Sequence, residues 1–369
     1  MTATLTSEPQ QTRTRRDRIP VAILGATGSV GQRFVQLLEH HPWFRLHEVV
    51  ASERSAGKLY GEAADWRLDT LLPDAAAGLK VKTLGGDLES TLLFSGLDSS
   101  VAGEAEDAYA NGGAVVISNS KNHRMDADVP LLLPEINADH IGAIEHQRRR
   151  RGGRGYIVTN SNCSTMGLAL AIAPIERRWG IDQLHVTTMQ AVSGAGYNGV
   201  SSLAILDNVI PYISGEEEKI EIEPRKILGR WNGDAFEFAP LRISAQTNRV
   251  ATIDGHLMTI SLSLRNRGGE GAAAPLSDIR DALESFIGEP QRLKLPSAPV
   301  KPIHYIDLPD RPQPRLDRDR EGGMTVSIGR LRPCPLLDLR MVALVHNTIR
   351  GAAGAALLNA ELLEAKGLL

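Results

Sequence analysis

Apolar positions recur along this chain with two different periods, and the order of those periods predicts its architecture. Pro20-Val21-Ala22-Ile23-Leu24 is a short unbroken apolar run that ends at a glycine-rich segment, the pattern of a buried strand. Val30, Phe34, Leu37 and Leu38 then share one face of a helix that His41-Pro42 stops, and Leu46 to Ala51 supplies a second strand. Apolar runs at residues 91–94, 114–117 and 156–158 alternate with helical stretches and continue a parallel sheet. Leu168, Ile172, Ile175 and Trp179 predict a longer helix with one apolar face. Beyond Trp179 the period becomes two: residues 185–192 and 259–264 alternate as strands, one face covered by helices and the other free for contact. Residues 265–275, rich in glycine and alanine, and 309–323, rich in proline and charge, read as loops. The segment 346–358 reads as a helix whose small residues suit close packing, back on the first part of the chain.

Length turns this pattern into two domains, because 369 residues exceed what one hydrophobic core usually organises. A net charge of −3 argues against a nucleic-acid or membrane-surface partner. The two cysteines, Cys163 and Cys334, are too few for a disulfide framework or a cysteine-rich zinc site; no metal is expected, and a reducing cytoplasm fits. Residues 1–18 end in a cluster of arginines that imitates the start of an export signal. The apolar stretch after them is broken by glycines after five residues, so a disordered tail is expected. No apolar run approaches the ~20 residues of a membrane span.

Two turns carry the candidate chemistry. Gly25-Ala26-Thr27-Gly28-Ser29-Val30-Gly31 joins the first strand to the first helix, where glycines let the backbone approach a pyrophosphate at a helix N-terminus. The spacing departs by one residue from G-x-G-x-x-G. At the end of the second strand, Ser52, Arg54, Ser55 and Lys58 can hold a ribose 2′-phosphate, so NADP is favoured over NAD; Glu53 is the dissenting residue. The second turn, Thr159-Asn160-Ser161-Asn162-Cys163-Ser164-Thr165, places Cys163 in the first turn of the long helix. Unpaired N–H groups and the helix dipole favour a thiolate there, making Cys163 a candidate nucleophile. Arg148 to Arg151, just before, reads as an exposed basic loop without function.

With both turns placed, the chain from about Pro20 onward closely resembles the aspartate-semialdehyde dehydrogenases, in particular their archaeal and fungal branch. The resemblance rests on the two turns together with Gln190-Ala191-Val192-Ser193-Gly194-Ala195-Gly196, Glu216-Glu217-Glu218-Lys219-Ile220, Asn248-Arg249-Val250, Gly255-His256 and Asn347-Thr348. It implies an NADPH-dependent reduction of an acyl phosphate through a thioester on Cys163, with His256 as acid-base group and Gln190 orienting the acyl group. It further implies that Arg249 grips the substrate carboxylate, that Glu216 binds its ammonium group, that Lys219 and Arg124 bind phosphate, and that Asn162 lies against the substrate. Gly25, Thr27, Gly28, Ser29, Val30 and Gly31, with Ser193, Gly194 and Asn347, are implied for the cofactor; the backbone N–H groups of Ser193 to Gly196 are expected to point at cofactor or thioester oxygen. This chain reads Ser244 to Ala251 differently from its relatives, so the arginine loop is open to a shifted position.

The expected fold is α/β, with a Rossmann-type dinucleotide-binding domain over 19–160 plus 345–369 and an α+β catalytic and dimerisation domain over 161–344. The resemblance also implies a homodimer or homotetramer acting on small molecules. Competing readings are a related acyl reductase, working on malonyl-CoA, N-acetyl-glutamyl phosphate or a specialised substrate, and a silent NADP-binding regulator. Retention of Cys163, Gln190, Arg249 and His256 together disfavours the regulator.

Overall fold

The computed structural model describes residues 18–266 and 274–369, so the predicted tail and the centre of the predicted 265–275 loop lie outside the described residues. Arg18 itself belongs to the fold, its Nη1 donating to the His41 carbonyl at 2.9 Å. Two six-stranded sheets organise the described residues. The first contains β1 (Ile19–Leu24), β2 (Phe44–Ala51), β3 (Val81–Thr83), β4 (Leu92–Ser95), β5 (Val115–Ser118) and β6 (Tyr156–Thr159), in the order β3-β2-β1-β4-β5-β6. Every pairing in it is parallel. β1, β4, β5 and β6 are nearly unbroken apolar runs, as strands covered on both faces are, and the strand order reverses between β1 and β4 as in dinucleotide-binding sheets.

The second sheet is mixed. β7 (Ile181–Gln190) is followed by a small hairpin of β8 (Arg230–Trp231) and β9 (Phe236–Glu237), and then by β10 (Arg242–Arg249), β11 (His256–Leu264), β12 (Ile303–Ile306), β13 (Val326–Pro333) and β14 (Leu339–Val345). The sheet order is β10-β7-β11-β14-β13-β12. Burial alternates along β7 and β11, as the period of two predicts.

The helix Cys163–Trp179 links β6 of the first sheet to β7 of the second and packs into the core of the second. It departs from the predicted one-faced pattern: Ser164 to Ile175 are all buried. A helix that packs against other elements on every side needs no polar face. The C-terminal helix Gly354–Ala365 packs Leu357, Leu358, Leu362 and Leu363 in one apolar cluster with Phe94 of β4 and Phe34 of the helix Ser29–Leu38, as expected. No helix among the described residues is long and apolar enough to cross a membrane.

Two expectations are corrected. The run Arg148 to Arg151 is the last turn of a helix, Ile144–Arg151, ended by Gly152 in the left-handed conformation. Buried Gln147 ties that helix to β6, its Nε2 donating to the Ile157 carbonyl (2.7 Å) and its Oε1 accepting from the Ile157 N–H (3.0 Å). Arg150 pairs with Asp128 and Arg151 with Asp107, each at 2.6 Å. Residues 309–323 likewise contain a short helical turn, Pro314–Asp317, and a kinked turn, Arg320–Gly323, gathered around the buried Asp317 carboxylate, which accepts from Arg311 and from the Gln313 N–H.

Candidate active site

The glycine turn has the conformation its sequence predicts. Gly25 has φ +78°, and a Cβ there would lie 2.8 Å from the Gly96 carbonyl oxygen. A Cβ on Gly31 would fall 2.2 Å from the Gly25 carbonyl oxygen, so glycine is needed for the helix to seat against the strand. The Tyr60 hydroxyl donates to the Ala26 carbonyl (2.8 Å) and Gln32 Nε2 to the Thr27 carbonyl (3.2 Å), fixing the turn with Gly28 and Ser29 at its mouth. Ser52 and Arg54 lie exposed on the turn after β2, and Arg54 makes no hydrogen bond or ion pair among the described residues. Its guanidinium therefore suits an anion from outside the fold.

Strand register assembles the second half of the site. β10 pairs in parallel with β7 so that Arg249 lies opposite Gln190, and β11 runs antiparallel to β7 with Leu257 opposite Met189. Arg249, Gln190 and His256 therefore meet at one end of three adjacent strands; a one-residue slip would turn each side chain to the wrong face. The altered residues at 244–251 leave Arg249 in this register, with Nη1 donating to the Ala191 carbonyl at 2.8 Å.

Cys163 is the first residue of its helix. Asn162 caps it, its Oδ1 accepting from Ser164 N–H (3.0 Å) and Thr165 N–H (3.1 Å), while its Nδ2 donates to Glu216 Oε2 (2.8 Å). Gln190 Nε2 reaches the same Glu216 oxygen at 3.3 Å, and Lys219 donates to Glu216 Oε1 at 2.7 Å. The glutamate and lysine expected at separate substrate groups thus hold each other. A pocket of about 370 Å³ opens over the sulfur. It is lined by Cys163, Asn162, Gln190, Arg124, Arg249, Glu216, Lys219, Ser193, Gly194 and Asn347 from the catalytic side and by Ser29 and Val30 from the glycine turn. A larger depression of about 1030 Å³, bordered by Glu39, Arg45 and Asp74, holds neither the nucleophile nor the glycine turn.

The electrostatics correct the expectation of a resting thiolate. Burial, with the Glu216 carboxylate next, pushes the Cys163 thiol up to about 12, against the opposing pull of Arg124 and Arg249. The Ser164 N–H at the start of the helix also pulls it down, but burial and the Glu216 charge outweigh it. Burial, followed by Arg249, brings His256 down to about 3, so its imidazole is neutral. Its Nδ1 accepts from the Ala191 N–H at 3.0 Å, which puts the proton on Nε2, a buried atom without a partner among the described residues. Gly194 covers that edge: a Cβ there would lie 3.2 Å from Nε2 and 3.0 Å from Arg249 Nη1.

Three of the expected backbone donors of residues 193–196 are already engaged. Ser193 N–H donates to Ile253 O, Gly194 N–H to Ala191 O and Gly196 N–H to Ser193 O, because the segment Val192–Ala195 coils into a 3₁₀ turn. Asn347 ties that turn to the histidine, its Nδ2 donating to Ser193 Oγ and its Oδ1 accepting from Gly255 N–H, both at 2.8 Å. Among residues the sequence reading passed over, Gly351 presses on the nucleophile and Glu223 joins Arg124 to the cysteine turn. Glu223 lies seven residues after Glu216 on one helix face, a spacing that would have pointed to it. Among the described residues no group of three or more His, Cys, Asp or Glu side chains is arranged to hold a metal ion.

A parallel sheet with a glycine turn, joined to a mixed sheet through a buried helix that starts at a cysteine, defines the class of semialdehyde dehydrogenases. The family models agree: residues 20–144 match the semialdehyde dehydrogenase NAD binding domain and residues 172–350 the semialdehyde dehydrogenase dimerisation domain. The chain is 48% identical to the aspartate-semialdehyde dehydrogenase of Candida albicans over 94% of its own length and 98% of that protein's. It is 46% identical to the Archaeoglobus fulgidus enzyme of the same name, with coverage of 94% and 98%. The crystal structure of the Candida albicans enzyme with NADP superposes with a TM-score of 0.88 over 95% of this chain and 100% of that one. The chain belongs to the aspartate-semialdehyde dehydrogenase family.

Proposed function

We propose that this protein reductively dephosphorylates L-aspartyl 4-phosphate to L-aspartate 4-semialdehyde, in the biosynthesis of lysine, threonine and methionine. The observation that carries the reading is a thiol enclosed by Arg124, Arg249 and the Glu216–Lys219 pair, a set suited to a small substrate bearing carboxylate, ammonium and phosphate at once. The glycine turn and the Ser52–Ser55 turn would hold NADP, with Arg54 and Ser55 at the 2′-phosphate and Asn347 and Gly194 toward the nicotinamide. When bound, NADPH supplies the hydride that reduces the thioester.

In this reading Cys163 attacks the acyl carbon, the carbon–oxygen bond to phosphate breaks, and phosphate departs toward Arg124 and Lys219. Gln190 and Asn162 orient the acyl group while Arg249 holds the α-carboxylate. The neutral His256 donates a hydrogen bond from Nε2 to the oxygen that becomes negative as hydride reaches the thioester carbon, and that oxyanion collapses to the aldehyde as the Cys163 thiolate leaves. The proton that burial keeps on the resting thiol passes to the departing phosphate, which leaves as hydrogen phosphate as the thioester forms. The functional division is 19–160 with 345–369 for the cofactor and 161–344 for catalysis and assembly of a cytoplasmic homodimer or homotetramer.

One assay decides: NADP reduction with aspartate semialdehyde and phosphate, beside malonate semialdehyde with CoA. Turnover of the first pair alone is expected; turnover of the second alone assigns a related acyl-CoA reductase.

A further inference from the structure

We propose that Glu223 is a positioning residue that sets the phosphate-binding arginine and the nucleophile in one fixed register. Its two oxygens serve two different parts of the site. Oε1 accepts from Arg124 Nη1 at 2.9 Å, and Oε2 accepts from the backbone N–H of Asn162, the residue before Cys163, at 2.7 Å. The Arg124 and Glu223 side chains are only 8% and 3% exposed, so solvent neither screens the pair nor replaces either partner.

The helix Glu216–Ile227 repeats this grip along one face. Glu216 holds the Asn162 side chain and Glu223, two turns on, holds the Asn162 backbone. Lys226, one turn further and buried, donates to the carbonyls of Arg124 (2.8 Å), Asp126 (2.9 Å) and Val129 (2.9 Å). Arg124 is thus held at its guanidinium by Glu223 and at its backbone by Lys226. Its Nη2 donates to the Asn119 carbonyl at 2.8 Å, and Nε is buried without a partner among the described residues. The consequence is geometric: a leaving phosphate bound at Arg124 and the sulfur that displaces it are located by the same carboxylate.

This inference rests on the proposed reaction, and the substitutions separate the two. Glu223→Gln keeps an oxygen for the Asn162 N–H but turns an amide NH₂ toward Arg124, so the cysteine turn stays and the arginine is released. In the oxidative direction it should raise the KM for phosphate by about tenfold or more, with kcat at saturating phosphate and the KM for the semialdehyde changed by less than about threefold. Glu223→Asp, shorter by one methylene, retains charge yet cannot span both partners, and should also raise the phosphate KM. Arg124→Ala combined with Glu223→Gln should be no worse than Arg124→Ala alone, since both act through one contact. Wild-type turnover of aspartate semialdehyde with phosphate is the control, and its failure would refute the reaction itself. With that control active, an unchanged phosphate KM in both Glu223 variants, losses spread equally over kcat and both KM values in step with a lowered Tm, or additive effects in the double variant each overturn the positioning role.

Discussion

Gly351 offers the sharpest perturbation, because it presses on the nucleophile from outside the reacting groups. It lies buried in the π-helical turn Ile349–Ala353, where a Cβ would come within 2.7 Å of Cys163 Cβ and 3.1 Å of its Cα. Ordinary van der Waals contact begins at 3.4–4 Å, so Gly351→Ala forces the two backbones apart by about 1 Å. Neither side yields cheaply, since the contacting atoms are the rooted part of a residue in a helix buried on all sides. Overpacking of this kind costs about 1–3 kcal/mol of stability. A displacement of about 1 Å at a reacting atom costs of order 10²-fold in rate. The assay is kcat in the oxidative direction, read beside Tm and the rate of iodoacetamide alkylation of Cys163. A folded variant with wild-type kcat would refute the argument that this contact sets the position of the sulfur.

Three further outcomes are expected. Arg54→Ala with Ser55→Ala should weaken NADP binding and spare NAD; equal losses for both cofactors by equilibrium titration would remove the 2′-phosphate from that turn. Glu216→Gln should speed alkylation of Cys163 at mildly alkaline pH while lowering turnover, because burial and then the Glu216 charge hold the thiol up near 12 and the substitution removes the second; slower alkylation contradicts this. Burial alone would raise the Glu48 carboxyl, but bonds from Lys82 and from Ser90 and Glu89 outweigh it and bring the carboxyl from 4.5 down to about 2. The unfolded chain therefore takes up that proton first, and the stabilisation present above pH 4.5 is lost as pH falls toward 2. Glu48→Gln should lower stability at neutral pH and narrow its gap to wild type across that window; a gap independent of pH in denaturant titrations would exclude the ionic contribution.

Much of this was legible in the sequence because it is local. A glycine turn between a strand and a helix, or a cysteine in the first turn of a helix that follows a short strand, announces itself within ten residues. The helix Ile144–Arg151 did not, since its ion pairs reach to Asp107 and Asp128, and four arginines offer no apolar period to read. The protonation of Cys163 was misjudged for the same reason: the helix N-terminus is local, whereas the burial and the Glu216 charge that outweigh it come from segments that the fold brings together. Of the occupied N–H groups in residues 193–196, that of Ser193 depends on Ile253, far along the chain, whereas those of Gly194 and Gly196 are taken by the local 3₁₀ turn. The individual residue roles came from resemblance, and the register of β10, β7 and β11 gives the physical reason that Arg249, Gln190 and His256 share one place.

The central claim is a covalent acyl group on Cys163 that phosphate releases. Mixing the enzyme with aspartate semialdehyde and NADP in the absence of phosphate should give a burst of one NADPH per active site and leave an aspartyl adduct on Cys163, found by intact-protein and peptide mass spectrometry. Adding phosphate should discharge the adduct and restore steady turnover, and Cys163→Ser should show neither burst nor adduct. A burst without an adduct, an adduct on another residue, or sustained turnover by Cys163→Ser would contradict the account.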